Sequence, residues 1–305
     1  MNDLQLKIFL LVAALKSFSR AAEQLYISQP SVSMRVKCLE EELGTQLFDR
    51  SRSRELTLTE DGKEYLDYAQ RIVNLQEEAL ARLNRSEKAA AGPVHLGASS
   101  VPGIYLLPPT LARFKRLFPA VSINLNILDS AQVVEQVINY DVDLGFVGSM
   151  HQDDRLAYRV YANDELVLIT PPGHFQGAGR NCKQAHKRSV TLTECLSGNL
   201  LLREKGSATR DLFEKILAGQ GMSLRDFAAV THVGSLEAIK QGVRYGLGIS
   251  LVSRHSAADY LQMGFVDGFT LAGIDLARQL YLVRHSGRVL NRAAVLLMKQ
   301  ILENL

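Results

Sequence analysis

The chain has 305 residues, 47% hydrophobic and 22% charged, ordinary figures for a globular protein and too apolar for a disordered or collagen-like one. The net charge of +3 is spread thinly, and residues 1–60 carry eight basic and eight acidic side chains, so any nucleic-acid surface there has to be a local patch. The three cysteines, Cys38, Cys182 and Cys195, contain no CxxC pair and support neither a disulfide framework nor a zinc knuckle.

Leu4, Ile8, Leu11, Val12 and Leu15 recur at helical spacing and predict a first amphipathic helix ending at Lys16-Ser17. This apolar run lacks a cleavage pattern, and no run approaches the ~20 residues that span a bilayer. A cytoplasmic setting without a membrane partner is therefore expected. Ser19 is placed to cap a short second helix, Arg20 to Leu25, and Tyr26-Ile27 makes a tight connection. Ser28 caps a third helix whose apolar stripe is Val32, Val36, Leu39 and Leu43, with Pro30 in its first turn and Gly44 at its end. The basic run Arg50 to Arg54 leads into a strand at Leu56-Thr57-Leu58. Thr59 opens a long helix in which Leu66, Ala69, Val73, Gln76, Leu80 and Leu83 keep a three–four spacing. That stripe predicts pairing with a second copy, the alternative being packing on the chain's own C-terminal domain. The run Ala89 to Pro93 reads as a hinge.

From Val94 onward strands and helices alternate. Strands are expected at 94–98, 121–128, 143–147, 165–170, 199–202, 229–233, 248–252 and 279–284. Helices are expected at 106–117, 131–140, 208–220 and 236–242. This rhythm predicts parallel sheets with helices on both faces, in two α/β lobes.

Helix, tight turn, helix, basic turn and short strand is the layout of a winged helix-turn-helix, whose second helix enters the major groove by its N-terminal residues. Gln29 is the candidate base reader, because its amide can bond adenine bidentately. Ser31, Ser33, Arg35 and Lys37 are candidates for phosphates or nearby bases, with Ser28 and Pro30 at the same tip. Arg50, Arg52 and Arg54 are placed to grip the backbone. The acidic residues Glu40, Glu41 and Glu42 confine deep contact to the first two turns.

The segments Phe18-Ser19-Arg20-Ala21-Ala22-Glu23-Gln24-Leu25, Ser28-Gln29-Pro30-Ser31-Val32-Ser33, Leu39-Glu40-Glu41-Glu42-Leu43-Gly44, Leu47-Phe48-Asp49-Arg50 and Leu58-Thr59-Glu60-Asp61-Gly62 strongly resemble LysR-type transcriptional regulators. Asp143-Leu144-Gly145-Phe146-Val147 and Gly246-Leu247-Gly248-Ile249 continue the likeness. Met34 departs from it, standing where many members carry Arg or Lys. The resemblance implies an α/β protein with an N-terminal winged helix-turn-helix (1–58), a long linker helix and hinge (59–92), and a C-terminal two-lobed, type 2 periplasmic-binding-protein-like effector domain (93–305). Lobe one is expected at about 93–163 and 268–305, and lobe two at about 164–267. Expected partners are double-stranded operator DNA, a homodimer or homotetramer, a small-molecule effector and, as a candidate, RNA polymerase.

Several strand-to-helix turns carry hydroxyls, and helix N-termini attract anions. Ser99, Ser100, Ser149, Arg203, Ser207 and Thr209 would suit a small carboxylate or inorganic oxyanion, with Val101, Ser130 and Ser235 at matching turns. Neither a cofactor nor a metal is expected. The chain carries no G-x-S-x-G, H-E-x-x-H, Walker loop or G-x-G-x-x-G, so a regulator is expected rather than an enzyme.

Overall fold

The computed structural model describes residues 3–49, 56–83, 92–175 and 188–303. The chain divides into two compact units, Met1–Lys88 with Gly287–Val295, and Ala89–Ser286 with Leu296–Leu305.

The first unit contains helices α1 (Asp3–Leu15), α2 (Phe18–Leu25) and α3 (Gln29–Leu43), then strands β1 (Phe48–Asp49) and β2 (Thr57–Leu58), then helix α4 (Glu60–Leu83). Ser17, two residues earlier than the expected Ser19, caps α2 by accepting from the Arg20 N–H. Ser28 caps α3 in the same way through the Ser31 N–H. Leu6, Ile8, Phe9 and Val12 turn inward from α1, whereas Leu4 is exposed. Val32, Val36 and Leu39 of α3 join them around the Phe9, Phe48 and Tyr65 rings, with Phe9 5.4 Å from Phe48 and 5.1 Å from Tyr65. β1 and β2 pair antiparallel, Phe48 opposite Leu58, which is a two-stranded wing.

The stripe expected to meet a second copy is corrected by this core. Ala69 (0% exposed) and Val73 (7%) are buried in it, and Leu66 packs against it. The side chains of Leu80 and Leu83 lie outside the described part. A helix leaving the wing has to cover the open side of its own three-helix core first, so the Leu66, Ala69 and Val73 part of its apolar stripe is used there. What α4 leaves exposed is the neighbouring stripe Tyr68 (51%), Ile72 (39%) and Leu75 (59%).

The second unit begins with β3 (Gly92–Ser99), a π-helical turn at Pro102–Leu106 and α5 (Leu107–Leu117). β4 (Val121–Leu128), α6 (Ser130–Ile138) and β5 (Leu144–Val147) follow. β6 (Leu156–Thr170) leads to β7 (Ser189–Val190), α7 (Leu192–Cys195), β8 (Asn199–Leu202) and α8 (Ala208–Gly219). β9 (Ala229–His232), α9 (Leu236–Arg244), β10 (Ser250–Ser253), α10 (Arg254–Gln262), β11 (Asp267–Leu271) and β12 (Ala277–His285) come next. The final helix is α11 (Arg292–Glu303).

β3 runs parallel to β4 and β5, and β8 parallel to β9. The sheets are not wholly parallel, however. β12 is antiparallel to β5 and β6, and β6 is antiparallel to β10 and β11. The fifteen-residue β6 begins well before the strand expected at 165–170 and runs unbroken through the expected lobe boundary. Its first half pairs with β12 from Leu156 to Glu165, and its second half pairs with β10. A chain that crosses into a second lobe and returns needs crossing strands of opposite direction, which accounts for the antiparallel pairs. Lobe one buries Val133, Val137, Val147 and Val283 together. Lobe two buries Leu166, Leu200, Phe213, Ile249 and Phe269.

Candidate functional site

The tip of α3 is open to solvent. Gln29, Pro30, Ser31, Met34 and Lys37 are exposed, and Ser33 and Arg35 are half-exposed. Ser28 accepts from the Ser31 N–H, and the two hydroxyls lie 2.8 Å apart, so both serve the helix cap. Lys37 lies 3.6 Å from Glu41. The acidic run is less repulsive than its sequence suggests, because the Glu40 carboxylate turns inward and accepts from the Leu47 and Phe48 N–H groups at 2.9 and 3.2 Å. Glu42 likewise accepts from Gln5. Arg50, Arg52 and Arg54 lie outside the described residues.

In the second unit a cavity of about 20 Å³ opens where the two lobes meet. It is lined from lobe one by Ser99, Ser100, Val101, Pro102, Leu128, Asp129, Ser130 and Gly148, and from lobe two by Arg203, Ser207, Ala208 and Thr209, with Arg278 and Leu280 from β12. That volume holds about one water molecule. Arg203 reaches across to the Ser100 hydroxyl at 3.4 Å. Further along the same junction, Lys240 of α9 donates to the Tyr105 hydroxyl at 2.8 Å. Lys240 also pairs with Glu237 at 2.7 Å and lies over the Tyr260 ring at 4.4 Å.

The hydroxyls divide by what they already do. Ser235 caps α9 by accepting from the Ala238 N–H, and it does not line the cavity. Ser149 follows a lining residue without being one. Ser130 accepts from the Gly148 N–H at 3.4 Å, and Thr209 accepts from Arg278 at 3.0 Å. Ser207 is buried at the N-cap of α8 yet makes no capping bond. Ser207 and Ala208, at the positive end of that twelve-residue helix, both line the cavity.

Each cation at the cavity is answered by a carboxylate. Asp164 holds Arg278 at 2.8 Å, with both side chains buried, and accepts from Ser253 at 2.7 Å. Burial pulls the Arg278 guanidinium below its ordinary pKa, and Asp164 opposes that pull. Glu204 grips Arg203 through both oxygens, at 2.8 Å to Nε and 2.5 Å to the NH2 nitrogen. Burial disfavours the Glu204 carboxylate, but Arg203 and Arg210 outweigh this and hold its pKa below the usual value.

Two family models together match nearly the whole chain. The bacterial regulatory helix-turn-helix protein model of the lysR family matches residues 4–63, and the LysR substrate binding domain model matches residues 87–305. The chain belongs to the LysR family. Like the other members, it is a DNA-binding transcriptional regulator rather than an enzyme. Among its relatives is a probable RuBisCO transcriptional regulator of Cyanidioschyzon merolae, 31% identical over 301 residues, covering 98% of this chain and 96% of that one. A full-length OxyR variant from Pseudomonas aeruginosa shares the fold, with a TM-score of 0.76 at 23% identity, covering 99% of this chain and 94% of that one. The regulatory domain of CcmR from Synechocystis PCC6803, solved in complex with 2-PG, has a TM-score of 0.60 at 22% identity, covering 70% of this chain and 97% of that one.

Against this LysR framework, the lining residues missed by sequence reasoning include the polar or charged Asp129 and Arg278 and the small or apolar Pro102, Leu128, Gly148, Ala208 and Leu280. Arg278 sits 69 positions from the Thr209 it touches, and no local pattern announces such a contact. Asp129 did carry a signal, being the capping-box residue of α6. Among the described residues no cluster of three His, Cys, Asp or Glu is placed to hold a metal, and no helix is long and apolar enough to cross a membrane. Cys195 is buried, and burial pushes its thiol up to about 12, so it stays protonated at neutral pH. Cys182 lies outside the described residues.

Proposed function

We infer that this LysR-family regulator works in the cytoplasm and reads a pseudo-palindromic operator with the tips of paired α3 helices, in a response set by a small anion held between its C-terminal lobes. The carrying observation is the cavity that joins Ser100, Arg203, the non-capping Ser207 and the N-terminus of α8. A guanidinium, hydroxyl donors and a helix dipole suit a carboxylate or phosphate. A ligand seated there would touch both lobes at once. Ligand binding then biases the arrangement of the lobes by its differential affinity.

Gln29 is the base reader, and Arg50, Arg52 and Arg54 supply backbone grip from the wing. The exposed stripe Tyr68, Ile72 and Leu75 gives α4 a face for a second copy, from which a dimer or tetramer is built. RNA polymerase is the further partner such a regulator would meet.

The test is a gel shift at several salt concentrations with the gene's own upstream fragment and a RuBisCO operon fragment, in the presence and absence of 2-PG. A sequence-selective, salt-dependent shift that 2-PG alters supports the reading. Gln29→Ala is expected to relax discrimination at one base pair by about 1–3 kcal/mol. Unchanged discrimination removes its base role.

A further inference from the structure

Arg203 and Glu204 are neighbours in the loop between β8 and α8, and their side chains form a two-point fork, 2.8 and 2.5 Å. Arg203 is 10% exposed and Glu204 31%. A two-point fork on a guanidinium is the geometry with which a ligand carboxylate or phosphate would bind it. The other cation of the cavity, Arg278, is locked by Asp164 with both side chains buried. Its charge is not available without breaking that pair. Asp129 adds a further carboxylate to the lining. The cavity is therefore not a standing positive pocket, although its hydroxyls and the N-terminus of α8 are arranged for an anion. Of the two guanidinium groups among the described lining residues, Arg203 is the one whose counter-ion, Glu204, lies outside the lining and is partly exposed, so a modest rearrangement would release its charge.

We propose that Glu204 is an internal stand-in for the effector's anionic group, filling the guanidinium fork of Arg203 until an incoming anion displaces it. This rests on the reading that the cleft takes a small anion, and it adds how that anion is selected. Binding becomes an exchange of one anion for another. A monocarboxylate gains little by replacing a carboxylate already in place at high effective concentration. A phosphate, with more charge and more acceptor oxygens, gains enough to compete. Glu204 thus discriminates against simple monoanions. The loop it occupies also carries Gly206, where a Cβ would lie 3.0 Å from the Asp129 carboxylate of lobe one, so release of Glu204 acts at the point where the lobes touch.

The experiment is calorimetric titration of the full chain with inorganic phosphate and with acetate, comparing wild type, Glu204→Gln and Arg203→Lys. Glu204→Gln is expected to bind phosphate at least five-fold more tightly than wild type and to acquire acetate binding. Arg203→Lys is expected to weaken phosphate at least five-fold. Glu204→Ala gives the same reading should the glutamine variant fail to fold. Phosphate binding of equal or lower strength in the Glu204 variants overturns the stand-in and leaves the cleft reading intact. No phosphate binding to any of the proteins, or binding indifferent to Arg203→Lys, overturns both.

Discussion

At the scale of single residues, close approach explains features that composition alone leaves arbitrary. A Cβ on Gly62, in the first turn of α4, would fall 2.0 Å from the Leu47 carbonyl oxygen. The Thr59 side chain fixes this junction by donating to the Gln46 carbonyl and accepting from the Gly62 N–H. Backbone cannot yield as a side-chain tip can. Gly62→Ala should therefore cost about 1–3 kcal/mol, read as a lower thermal midpoint with weaker DNA binding; an unchanged midpoint would show that α4 can shift freely. Two serines in equivalent-looking turns provide a second test. Ser235 caps its helix and Ser207 does not. Ser235→Ala should lose about 1 kcal/mol of stability without affecting the effector response. Ser207→Ala should leave stability nearly unchanged and weaken phosphate binding several-fold. If the two variants behave alike, the division of hydroxyls drawn from the geometry is wrong.

At the scale of elements, α4 shows why an apolar stripe does not name its own partner. Periodicity identifies a long helix and its apolar positions, and the helix spans Glu60–Leu83. Which stripe faces inward depends on the angle at which the helix leaves the wing, and Ala69 and Val73 go to the protein's own core. Under the proposed function, self-association falls to the exposed Tyr68, Ile72 and Leu75. Ile72→Asp should dissociate the proposed oligomer, because pairing would bury the new charge; sedimentation at the wild-type rate would move the interface elsewhere. The helix-turn-helix itself is legible from sequence, because caps such as Ser28 and breaks such as Gly44 act within one turn of the helices they bound. In the second unit most strands are legible as segments, but β7 and β11 are missed and the antiparallel directions are not foreseen. β6 reads as a short strand in the sequence and is fifteen residues long, because its first half carries the mixed exposure of a strand whose neighbours come from a later part of the chain.

At the scale of the whole molecule, the buried Asp164–Arg278 pair joins β6 to β12 at the junction of the lobes and reaches α8 through Thr209. Removing one member of such a pair leaves the other buried without its counter-charge. Asp164→Asn should destabilise the protein by about 3–5 kcal/mol, visible as loss of cooperative thermal unfolding or of soluble protein. A variant as stable as wild type would mean that solvent reaches Arg278.

The family, the winged helix-turn-helix, the start of the linker helix and most of the turns that approach the cleft are all legible in the sequence alone. All of these depend on interactions within a few residues of one another, where spacing and capping chemistry are directly written. Folding in three dimensions sets which part of the α4 stripe is buried, that Ser207 is released from capping while Ser235 is not, and that Arg278 joins the cleft. It also decides that the charge of Arg203 is already answered. Those outcomes depend on burial, backbone direction and pairings between residues far apart in the chain, and the strength of a charge at such a site is set by the groups that folding brings beside it.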